Sequence, residues 1–119
     1  MLEFLLPAGL LAGEPLNWYA IIRPESFRPP PGADEPRAAP EGAEPRVLLF
    51  ESFQEGLVFI SRYAGDLAYI TDTGYPNRED AVADCAEEFG EDLGQWTPIP
   101  DDVEDLERYV LGSLASAPS

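Results

Sequence analysis

Neither histidine nor lysine occurs in this chain, so its capacity for chemistry rests on carboxylates, seven arginines and one thiol. The carboxylates are unevenly spread. Residues 79–107 hold twelve of them, Glu79, Asp80, Asp84, Glu87, Glu88, Glu91, Asp92, Asp101, Asp102, Glu104, Asp105 and Glu107, with no cation among them. Without His and Lys, the Ser-His-Asp triad, the Cys-His pair, Schiff-base chemistry and the phosphate-binding P-loop lysine are all excluded. Carboxylates alone could perform glycosidase-type acid/base work or hold a divalent ion. The first needs two opposed carboxylates in a deep cleft, which a 119-residue domain has little material to enclose. The second needs an alternating acidic loop around a central glycine, which Asp101-Asp102-Val103-Glu104-Asp105 lacks. No catalytic residue, metal ligand or cofactor is therefore assigned from the sequence. Cys85 falls on an apolar stripe with no cation near it in sequence and reads as a buried, inert thiol.

What the acids can do is make a field. The net charge is -16, and it is polarised along the chain. Residues 1–65 hold nine acids against five arginines, a net of -4; residues 66–119 hold fourteen against two, a net of -12. Such a field draws in basic proteins and keeps nucleic acid away. Apolar residues make up 45% of the chain, enough for one domain to bury a modest core without staples. The single cysteine excludes an internal disulfide and suits a reducing cytoplasm. Residues 1–13 are leucine-rich, but they carry Glu3 in place of a basic region and are too short to span a bilayer. A cytoplasmic protein that does not enter membranes is expected.

The elements that must position these groups can be read in turn. Residues 17–23, Asn-Trp-Tyr-Ala-Ile-Ile-Arg, read as a first strand. Residues 24–45 contain seven prolines and read as a long, mobile loop. Apolar runs at 46–53 and 56–63 flank Gln54-Glu55 at hairpin spacing, and a turn at 64–66 leads to a fourth strand at 67–71. A helix is expected over residues 77–89. Asn77 caps it, Gly90 ends it, and Val82, Cys85, Ala86 and Phe89 form its apolar stripe. A second helix is expected over residues 102–114, with Val103, Leu106, Val110 and Leu114 on one face and a tail fraying from Ala115. The sum is an α+β domain: an antiparallel sheet of about four strands with two helices packed on one face.

The first helix carries the most suggestive pattern. Asp80, Asp84, Glu87, Glu88 and Glu91 lie opposite its apolar stripe, and they pair like with like at 80/84, 84/88 and 87/91. Each such pair costs about 0.2–0.5 kcal/mol. Glu87, Glu88 and Glu91 also sit at the unfavourable end of the helix dipole. A tolerated local cost points to a useful field. Tyr75, just before the helix, could act as an aromatic anchor ringed by acids, whereas Trp96 reads as a core plug beneath the helices. Asp80, Asp84, Glu87, Glu88, Glu91, Tyr75, Asp101 and Asp102 form the expected partner-binding set.

The succession Gly65-Asp66, Thr71-Asp72-Thr73, residues 77–90 and Trp96-Thr97-Pro98-Ile99-Pro100 resembles small, acidic bacterial proteins of unassigned function. The resemblance covers about the last half of the chain and implies a fold and a bacterial origin, with no activity. An acidic, non-enzymatic binding protein for a basic protein partner is expected, most concretely an immunity or inhibitor protein against a cationic toxin or nuclease. Three alternatives are a DNA-mimic inhibitor of a DNA-binding enzyme, an accessory module whose charge only solubilises it, and a divalent-metal-dependent carboxylate enzyme.

Overall fold

Val47, Leu48, Leu49 and Phe50 are four consecutive strand residues, and all four are buried. Successive strand side chains point to opposite faces, so an unbroken apolar run needs cover on both sides. The computed structural model, which describes residues 16–29 and 37–116, provides it. Strands β1 (Trp18–Ile21), β2 (Val47–Ser52), β3 (Val58–Tyr63) and β4 (Tyr69–Tyr75) form an antiparallel sheet. A fifth strand, β5 (Thr97–Pro98), adds to its far edge, giving the order β4-β3-β2-β1-β5. The α+β class and the antiparallel sheet expected from sequence are both present.

The placement of the helices is a correction. Helix α1 (Arg78–Phe89) covers one face through Ala81 and Cys85, which pack with Leu48, Phe50, Val58 and Ile60. Helix α2 (Leu106–Ser116) covers the other through Val110, Leu111 and Leu114, packed with Val47, Leu49, Tyr63 and Ile99. Even-numbered residues of β2 meet α1 and odd-numbered residues meet α2. The helices therefore lie on opposite faces, not on one.

Local chemistry explains the element ends. The Asn77 side chain accepts from the Asp80 backbone N–H at 2.7 Å, and Gly90 at φ 53 closes α1. The stripe of α1 is rotated from the expected one: Arg78, Ala81 and Cys85 are buried, Val82 and Phe89 partly so, and Ala86 is exposed. Helix α2 starts later than residue 102 because Asp105 is its cap, accepting from the Arg108 N–H at 3.1 Å. It also runs on through Ser116, past the expected fraying point.

The connection from β2 to β3 takes five residues, 53–57, with Glu55 at φ 65 and Gly56 at φ 83. Both ends of the proline-rich segment are held. Phe27 enters the core, the Arg37 carbonyl accepts from Tyr69 N–H at 2.7 Å, and the Ala39 N–H donates to the Tyr69 carbonyl at 2.7 Å. The described parts of the segment are thus tied to the sheet rather than loose; its middle, and residues 1–13, lie outside the described residues. Among the described residues no helix is long and apolar enough to cross a membrane.

Candidate functional site

The acidic run of residues 79–107 is divided by the sheet. Its α1 portion lies on one face, and its α2 portion belongs to the other. The two portions meet different electrostatic fates.

On the α1 face, the strands supply compensation. Arg62, on β3, reaches across to Glu88 with Nη2 at 2.6 Å from Oε1, and donates through Nη1 to Thr73 Oγ1 at 2.9 Å. The arginine side chain is only 11% exposed and the glutamate 41%. Burial works against the Arg62 charge, but the hydrogen bond and attraction to Glu88 outweigh it. Tyr75, the last residue of β4, donates its hydroxyl to Asp84. Burial and this carboxylate push the Tyr75 hydroxyl up to about 12. Tyr75, Asp84 and Glu88 are thus brought together around Arg62. Asp80, Glu87 and Glu91 remain exposed, Asp80 within the Asn77 cap. Asp101 and Asp102 are exposed in the turn before α2 and do not join this group. Trp96 meets Phe50 edge-on, with centroids 5.7 Å apart, as a core residue should.

The α2 face gathers acids that no run in the sequence connects. Glu51 of β2, Asp72 of β4, and Glu104, Asp105 and Glu107 at the start of α2 line an open cleft of about 630 Å³, floored by Leu49, Ser61 and Tyr63. Ser61 stands between Leu49 and Asp72 in the sheet register, so a small side chain occupies the middle of the floor. The Tyr63 hydroxyl donates to Glu107 Oε2 at 3.0 Å. Burial, then Glu107, raises the Tyr63 pKa well beyond its usual value.

Glu51 is pushed above the ordinary carboxylate range, first by burial and then by Glu107, Asp72 and Asp105. Among the described residues no arginine lines the cleft. The nearest compensation is Arg108 at 3.7 Å from Asp105, between two largely exposed side chains, a contact worth little in water. Among the described residues no group of three or more His, Cys, Asp or Glu side chains is placed to hold a metal ion.

Sequence reading missed Glu51, Asp72, Glu104, Asp105 and Glu107 as a set. The charges themselves were visible, but only the register of β2, β3 and β4 and the position of α2 bring them together. Cys85 is wholly buried beneath α1, and burial pushes its thiol up to about 11. Comparison with known proteins found no matching family model, no matching curated protein and no matching solved structure.

Proposed function

We propose that this is a non-enzymatic binding protein that engages a basic protein partner, most concretely an inhibitor or immunity protein against a cationic toxin or nuclease. The cleft on the α2 face is the centre of the contact. The observation that carries this reading is the convergence of Glu51, Asp72, Glu104, Asp105 and Glu107 around a hollow that no arginine among the described residues lines. Glu51, raised above the ordinary carboxylate range first by burial and then by the neighbouring carboxylates, holds its proton more tightly than a free acid does. A lysine or arginine side chain entering the hollow relieves the repulsion among these carboxylates, which is a differential gain on binding. The exposed acids Asp80, Glu87, Glu91, Asp101 and Asp102 extend the field over the surface and steer a cationic partner inward. The absence of His and Lys and the burial of Cys85 support a function without covalent chemistry.

The test is a pull-down from the native host at low and moderate salt, repeated with two neutralised forms. One carries Glu51→Gln, Asp72→Asn, Glu104→Gln and Glu107→Gln. The other carries Asp80→Asn, Glu87→Gln and Glu91→Gln. A stoichiometric basic partner should be retained by the native chain and lost as salt rises. The cleft form should lose affinity by about ten-fold or more, mainly through faster dissociation, while the helix form chiefly slows association. Equal binding by the native chain and the cleft form would sink the proposal.

A further inference from the structure

Six of the seven arginines satisfy their guanidinium groups. Arg23, Arg37, Arg62 and Arg108 pair with Asp92, Asp66, Glu88 and Asp105. Arg28 and Arg46 donate to backbone carbonyls, and Arg46 also to the Ser26 hydroxyl. Arg78 differs. It is 8% exposed, yet its Nε, Nη1 and Nη2 are buried without a hydrogen-bond acceptor among the described residues. In a chain with 23 carboxylates, none of those described reaches it. One face of the guanidinium is covered by Phe50, whose ring centroid lies 5.6 Å away. Arg78 also lines a cavity of about 510 Å³ together with Leu16, Ser52, Phe53, Gln54 and Gly56, although its three guanidinium nitrogens have no free surface there.

We infer that this cavity is a binding site for a small organic monocarboxylate with an apolar body, whose carboxylate draws the buried Arg78 guanidinium round toward the cavity and pairs with it. Three observations define the ligand's chemistry. The guanidinium is planar and presents donors in a fork that matches a carboxylate in two parallel hydrogen bonds. Among the described residues it is the one cation lining the cavity, so it matches one negative charge, whereas a phosphate dianion would need further donors. The rim is apolar, because Leu16 and Phe53 are 49% and 50% exposed there and Leu57, in the same loop as Phe53, is 40% exposed. These are the exposed large hydrophobic residues of the described chain, gathered at one place. The cavity volume lies in the range of small-molecule sites, roughly 300–1,000 Å³. Burial already lowers the Arg78 pKa, so a carboxylate partner would strengthen a charge now held without one. The site lies on the α1 face of the sheet, across from the acidic cleft, and does not depend on the cleft's function.

Titration calorimetry of the full chain with phenylacetate and with its neutral analogue phenylacetamide tests this directly. Phenylacetate should bind saturably, and the amide about ten-fold or more weakly, the difference a charge-assisted bond makes over a neutral one. Arg78→Met should erase that preference while leaving residual apolar affinity, and Phe53→Ser should weaken both ligands together. Inorganic phosphate should bind less well than phenylacetate. Absence of saturable phenylacetate binding, equal affinity for the amide, or tighter binding of phosphate would each overturn the assignment in the wild-type chain alone. Retention of the preference by Arg78→Met would overturn it as well.

Discussion

On one face of the sheet, Glu51, Asp72 and Glu104 confront one another with no arginine lining their cleft; on the other, Arg78 is buried with no carboxylate. On the same face as Arg78 stands a third arrangement, in which Arg62 and Glu88 cancel each other across α1 and β3. The same residue types in one small domain thus end in surplus negative charge, surplus positive charge and balance. The difference shows that imbalance here is local and sided, set by which strand faces which helix. An unbalanced buried group carries a folding penalty that a ligand of opposite charge can remove. A balanced pair offers a ligand nothing.

The comparison can be broken most forcefully at the balanced site. Arg62→Met leaves Glu88 without its cation and Thr73 without its donor. It should lower stability by about 1–2 kcal/mol in denaturant titration, the loss expected for charged hydrogen bonds beside a half-exposed partner. A neutral outcome would mean that the α1 face is not internally balanced. Arg78→Met should act in the opposite direction. It removes a buried unpaired cation and retains the apolar stem over Phe50, so it should raise stability by about 1 kcal/mol after loss of the ring contact is allowed for. Destabilisation would show that the guanidinium has a partner in the unliganded protein.

The smallest effect is expected at Glu51→Gln, and it is a matter of pH. The folded-state pKa of Glu51 is raised, so the native chain holds this proton more tightly than the unfolded chain does. Stability from this group is present below the ordinary carboxylate pKa and is lost as pH rises through the raised value. Glu51→Gln should therefore increase the thermal midpoint at pH 7, by less than Arg78→Met does, and leave it nearly unchanged at pH 4. A gain of equal size at both pH values would show that the cost of ionising Glu51, through burial and then through its acidic neighbours, is not the cause.

Which parts of this were readable beforehand follows from the range of the interactions. The Asn77 cap and the Gly90 stop were legible because both act within a single helical turn of the chain. The strands were legible from β-branched and aromatic runs. The unbroken burial of residues 47–50 also contained the two-sided packing, since a strand covered on one face alternates. Strand β5 was not legible: it has two residues and exists through its register with Trp18 and Tyr19.

Nothing in the sequence singled out Arg78, because only the tertiary fold lays it over Phe50. The acids of α1 were legible as a patch, but their neutralisation by Arg62 was not, since that arginine comes from a strand. Clustering along the chain and clustering in space diverged most at the cleft. Its members come from β2, β4 and the start of α2.

The wholly buried thiol of Cys85 has one more consequence. It lies where α1 seals against the sheet and is the chain's one sulfhydryl, so it is a built-in clock for the separation of those two layers. With the thiol shut away and its pKa pushed up to about 11, a thiol-specific reagent should react only in molecules whose helix has lifted. The rate of labelling then reads the free energy of the easiest opening that exposes the thiol, the lifting of α1 or the unfolding of the whole domain, without any substitution.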